Sequence, residues 1–173
     1  MINKNIKNFI FIPFLFIFLF LQITFIPQLF PENYAPNIVL ILLIASAAIG
    51  AKSVNIFFIS FFVGFILDIF SGNYFGFITI STLSAVFISS FLSYYFLKEL
   101  FLRNLIMVSI LAVLSYNIAY ILLINISDFD QAFSSAKQFL LIIVSQIIYM
   151  LILIYPLIYI LSSKNEKRLF HKK

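Results

Sequence analysis

Long apolar runs alternate with short polar breaks along this chain, and the breaks carry most of its charge. The first run, Phe9 to Ile26, follows Lys4 and Lys7 of "MINKNIKN". No small-x-small cleavage pattern closes it, so it reads as a membrane span rather than a secretory leader. Pro27, Pro31 and Pro36 then punctuate "IPQLFPENYAPN", a stretch that is expected not to continue a helix and that holds Glu32 but no Lys or Arg. Two shorter runs, Ile38 to Gly50 and Ile56 to Phe70, flank "AKSVN" and its Lys52. They read as two helices, because a single one would hold a lone Lys in hydrocarbon at about 2.5–3.5 kcal/mol. Short spans are tolerated where protein surrounds them.

Three fuller runs, 77–97, 105–126 and 138–161, complete the pattern. A bilayer core of about 30 Å takes roughly 20 apolar residues per helix. The pattern therefore predicts an all-α fold: a polytopic membrane helical bundle of about six transmembrane helices, at 9–26, 38–50, 56–70, 77–97, 105–126 and 138–161. The whole chain, 1–173, forms one integral membrane domain with a basic tail at 162–173. With the amino terminus inside, Lys4, Lys7, Lys52, Lys98, Arg103 and the tail cations all fall on the cytoplasmic side, leaving Lys137 outside. Such a bias predicts a multi-pass membrane protein with both termini cytoplasmic.

Composition agrees. At 64% hydrophobic and 10% charged, with a mean hydropathy of +1.14, the chain has too little polar side chain to cover a soluble globule. The net charge of +5 is spread between apolar runs rather than gathered on one solvated face, which argues against nucleic acid and leaves membrane lipid as the surrounding partner. The 24 Phe read as lipid-facing filler, and Tyr149, Tyr155 and Tyr159 as interfacial anchors or pocket lining.

Candidate chemistry is sparse. There is no Cys, and the one His, His171, sits in the basic tail. Six dispersed acids and one His build neither a zinc site nor a Ser-His-Asp arrangement, so the expectation is a non-enzyme with no metal and no cofactor.

One ionisable residue breaks the apolar pattern: Asp68 in "VGFILDIFSGNYFGF". Counting back in fours from Asp68 gives Gly64 and Ser60, a single helical stripe of small residues on which another backbone can approach closely. Ser81, Ala85, Ser89 and Ser93 form a similar ridge on the next span, so the two helices joined by "SGNYFG" are expected to pack tightly. Gly72 suits a left-handed helix stop. Asp68, near the negative end of its helix, needs donors from elsewhere. These are expected to be the backbone N–H groups at Ser71 to Tyr74 or those at the start of the following helix. A structural tie, a partner-binding role and a place on an ion or proton path all remain open for it. Asn117 and Gln146, deep in neighbouring spans, are placed to hydrogen-bond each other.

The segment Gly64 to Phe77 resembles the central signature of the bacterial rod shape-determining protein MreD family: glycine, three residues, aspartate, two apolar residues, Ser-Gly, then a glycine opening the next helix. The matching positions are Gly64, Asp68, Ser71, Gly72 and Gly76. Leu67 stands where that family often has Gln, and Tyr74 where it often has Pro. The resemblance implies a subunit of the cell-wall elongation machinery that binds an MreC-type scaffold protein and acts with MreB and RodA in peptidoglycan synthesis. It also implies a fold resembling transporter substrate-binding subunits, which gives the alternative function of a small-molecule-binding transporter subunit.

Overall fold

A computed structural model describes residues 4–30, 36–49, 54–72, 74–96, 102–127 and 136–161. Every regular element among the described residues is helical: α1 Lys4–Thr24, α2 Ile26–Leu29, α3 Ile38–Ile49, α4 Val54–Ser71, α5 Phe77–Phe96, α6 Leu102–Ser127 and α7 Ala136–Leu161. Within α5 and α6, Phe77–Tyr95 and Asn104–Ile126 are long and apolar enough to cross a bilayer; the other apolar helical stretches among the described residues, Leu15–Thr24, Ile38–Ala48, Asn55–Ser71 and Leu140–Leu153, are shorter. Lys52, Lys98, Glu32, His171 and the tail at 162–173 lie outside the described residues, as do the side chains of Tyr155 and Tyr159.

The first boundary differs from the sequence pattern. α1 stops at Thr24, and the turn α2 forms across Pro27. Proline is readily accepted in a first turn, where its missing N–H has no intrahelical acceptor to satisfy. Part of the proline-rich stretch is therefore helical after all.

α3 lies at the centre. Its sequence, IVLILLIASAAI, has no polar face, and every residue from Val39 to Ala48 is buried. A helix apolar on all sides belongs inside a bundle, and α1, α4, α5, α6 and α7 all touch it. Twelve residues span only about 18 Å, short of a bilayer core.

Register between the helices rests on side-chain ties. Ser89 Oγ on α5 donates to the Ile44 carbonyl of α3 (3.2 Å), and Ser84 Oγ donates to the Ser115 carbonyl of α6 (3.2 Å). Both ties fit one arrangement, with α6 antiparallel to α5 and α3 parallel to it. α4 lies antiparallel on α5, turning Val63, Gly64, Leu67 and Asp68 inward and Phe58, Phe61, Phe62, Phe65 and Phe70 outward.

Candidate functional site

The carboxylate of Asp68, 2% exposed, sits in the last turn of α4 against the first turn of α5. Its Oδ1 accepts the Ile78 N–H (2.8 Å), and its Oδ2 accepts the Thr79 N–H (2.9 Å) and the Thr79 hydroxyl. Donors from the start of the following helix, one of the two expected sources, are thus in place. The choice follows from electrostatics: the first N–H groups of a helix have no intrahelical acceptor and carry the positive end of its dipole. A carboxylate at the negative end of α4 is stabilised by meeting the positive end of α5. Burying one charge this way requires several charge-assisted bonds, and Asp68 has three.

The remaining motif residues build the approach. Gly64 faces α5 one turn earlier, where an added Cβ would fall 2.7 Å from the Thr79 Cα and 2.6 Å from the Thr82 hydroxyl oxygen. Gly64 is therefore needed for space. Gly72 (φ +67°) and Gly76 (φ +96°) have no atom within 4 Å of such a Cβ and are needed for backbone conformation instead. Gly72 ends α4 and Gly76 starts α5 in left-handed regions that an L side chain enters at a cost of roughly 1–2 kcal/mol. Ser71 Oγ returns a bond to the Asp68 carbonyl (3.1 Å), closing the end of α4.

Between the glycines, Tyr74 and Phe75 are exposed. The Phe75 ring packs edge-on against Phe65 of α4 (5.0 Å between centroids). Tyr74 packs on Phe77 (5.2 Å), and Phe77 on Tyr120 of α6 (6.5 Å). The turn is thus held from both sides.

Asn117 and Gln146 meet: Asn117 Nδ2 donates to Gln146 Oε1 and to the Val113 carbonyl, each at 2.8 Å. This joins α6 to α7 and is a separate contact from the Asp68 latch. Thr79 was invisible to sequence inspection, since one Thr in an apolar helix has no special spacing; its only signal is its place in the first turn after the motif. Gln22 and Asn37 were missed too. Gln22 Oε1 on α1 accepts the Ile38 N–H (2.9 Å), and Asn37 Oδ1 accepts the Leu40 N–H (3.0 Å), so the start of α3 is capped by two amides.

A helical bundle with a wholly apolar central helix, helices long and apolar enough to cross a bilayer and a buried carboxylate latch defines an integral membrane protein without a visible catalytic constellation among its described residues. The family model for rod shape-determining protein MreD matches residues 3–165, nearly the whole chain. The chain belongs to the MreD family and so has a role in rod shape determination, in a shape-determining system that includes MreC and MreB. No curated protein and no solved structure matches it.

Proposed function

We propose that this protein is a non-enzymatic scaffold subunit of the cell-wall elongation complex. It crosses the inner membrane six times with both termini cytoplasmic, and it presents its α4–α5 turn to an MreC-type partner, with MreB and RodA in the wider complex. The observation that carries this reading is the coincidence of the family signature with one device. Gly64, Asp68, Ser71, Gly72 and Gly76 all serve to fix the end of α4 against the start of α5 and so to hold an exposed aromatic turn. A latch whose carboxylate is engaged by three internal donors is suited to shaping a surface. It is less suited to holding a solute, which needs convergent polar groups left free.

The test is co-purification. Asp68→Asn keeps the size of the side chain but replaces one acceptor oxygen by a donor facing the Thr79 N–H. Gly72→Val opposes the left-handed backbone by a different cause. Both variants should reach the membrane yet lose the MreC-type partner and give rounded cells. Full partner recovery and normal cell shape in both would overturn the proposal. Retained partner with lost uptake of a small solute would favour the transporter alternative.

A further inference from the structure

Three donors hold the Asp68 carboxylate, and they ask different things of the sequence. The Ile78 and Thr79 N–H groups are backbone, so any residue except proline would supply them. The Thr79 hydroxyl depends on the side chain. It donates to Oδ2, which also accepts the Thr79 N–H at 2.9 Å, while Oδ1 accepts the Ile78 N–H at 2.8 Å. One residue thus grips one oxygen from two directions, which fixes the plane of the carboxylate against α5.

A helical Ser or Thr has a nearer acceptor than a neighbouring helix. Ser46, Ser60, Ser81, Thr82 and Ser109 each donate to a carbonyl three or four residues back on their own helix. Thr79 turns its hydroxyl to α4 instead, and a hydroxyl has one proton to give. The register that allows this is narrow. The Ile80 N–H already bonds the Gly76 carbonyl at 2.9 Å, so N–H groups without an intrahelical acceptor end at Thr79. Of Phe77, Ile78 and Thr79, only Thr79 adds a hydroxyl. One turn on, Thr82 Oγ1 lies 2.6 Å from where a Cβ on Gly64 would stand. Asp68 and Gly64, four apart on α4, thus receive Thr79 and Thr82, three apart on α5. That fit sets the rotation of α5 and with it the direction of Phe77, on whose ring exposed Tyr74 packs at 5.2 Å.

We infer that Thr79 is a positioning residue of the partner-binding turn: its hydroxyl selects the rotation of α5 on α4 in which Tyr74 and Phe75 are presented to an MreC-type partner. The inference rests on the proposed function, in which that turn meets the partner. It adds a side-chain requirement on α5, where the signature itself ends at Gly76.

Two pairs of side chains isolate the hydroxyl. Thr79→Val keeps the β-branched shape and the N–H of the parent, and Thr79→Ala differs from Thr79→Ser by the hydroxyl alone. Thr79 is 6% exposed, so Thr79→Ser loses a buried methyl and is destabilised by that loss. If Thr79 only packs, recovery of the partner follows stability, measured by unfolding in mixed micelles. If it positions, recovery follows the hydroxyl. Thr79→Val should lower recovery of the co-expressed MreC-type partner about 10-fold, the shift carried by one bond to a charged group. Thr79→Ser should stay within about 2-fold of the parent, and Thr79→Ala should fall about 10-fold below Thr79→Ser. A nitroxide on Tyr74→Cys, a unique thiol because the chain has no Cys, reads the turn without the partner. Its spectrum should become more mobile with Thr79→Val and return with Thr79→Ser. Recovery that tracks stability across the variants, Thr79→Ala equal to Thr79→Ser, or a spectrum indifferent to the hydroxyl overturns the inference. If Asp68→Asn and Gly72→Val both keep the partner, the proposed function fails and this inference with it. If both lose it while Thr79→Val keeps it, the function stands and the role of Thr79 alone is refuted.

Discussion

Gly64→Ala is the sharpest test of the close approach between α4 and α5. The added methyl would lie 2.6 Å from Thr82 Oγ1 and 2.7 Å from the Thr79 Cα, against an ordinary contact of 3.4–4 Å. Thr82 can rotate its hydroxyl aside. The Thr79 Cα is backbone and cannot, so the helices must part locally by about 1 Å. The same residue, Thr79, gives Asp68 its N–H at 2.9 Å, and a bond stretched from that length by about 1 Å is no longer a hydrogen bond. The expected loss combines overpacking of about 1–3 kcal/mol with weakening of the latch. Unfolding of the purified protein in mixed detergent micelles measures it. Because Gly64→Ala already loosens the latch, Asp68→Asn should cost less in the Gly64→Ala background than in the parent, by about 0.5 kcal/mol or more, a coupling of the size seen between contacting residues. A Gly64→Ala protein within about 0.5 kcal/mol of the parent, or two strictly additive substitutions, would refute the reasoning.

At Gly72 the limit is conformational: Gly72→Asn should be tolerated better than Gly72→Val by about 1 kcal/mol, since Asn enters the left-handed region more readily, and the same unfolding assay reads the difference. Asn117→Leu and Gln146→Leu should each cost about 0.6 kcal/mol and no more than about 1.7, with the double variant costing less than their sum because both remove one bond. An additive double variant would show that the two amides act apart. For topology, alkaline phosphatase fused after Glu32, Asn73 or Asp130 should be active and after Lys52, Lys98 or Lys173 inactive; activity after Lys52 would show that the second and third spans do not cross the membrane as separate helices.

How much of this was legible in the sequence differs residue by residue. Asp68 stood out because an ionisable group in an apolar run demands compensation, and Gly64 stood out because its spacing put it on the same stripe. Which donors compensate was not legible: the turn and the next helix both offer free N–H groups, and only the antiparallel packing of α4 on α5 selects Ile78 and Thr79. The glycines looked alike in sequence but answer different needs, space at Gly64 and positive φ at Gly72 and Gly76. The proline-rich stretch hid the most. Three prolines signalled a break in the helix correctly, but they gave no hint of the Gln22 bond to the Ile38 N–H or of the Phe30 contact with Tyr149, because those partners arrive from two other helices.

The complete enclosure of α3 bears on how the protein is made. α3 leaves the ribosome before α4, α5, α6 and α7, yet those later helices form much of its sheath. During synthesis it must therefore wait, too short to span the bilayer alone and with its finished neighbours not yet translated. Its final seat exists only once α7 has been inserted, so chains truncated before Ala136 should leave α3 facing lipid and become substrates for membrane quality control, even though the truncation removes none of the signature residues.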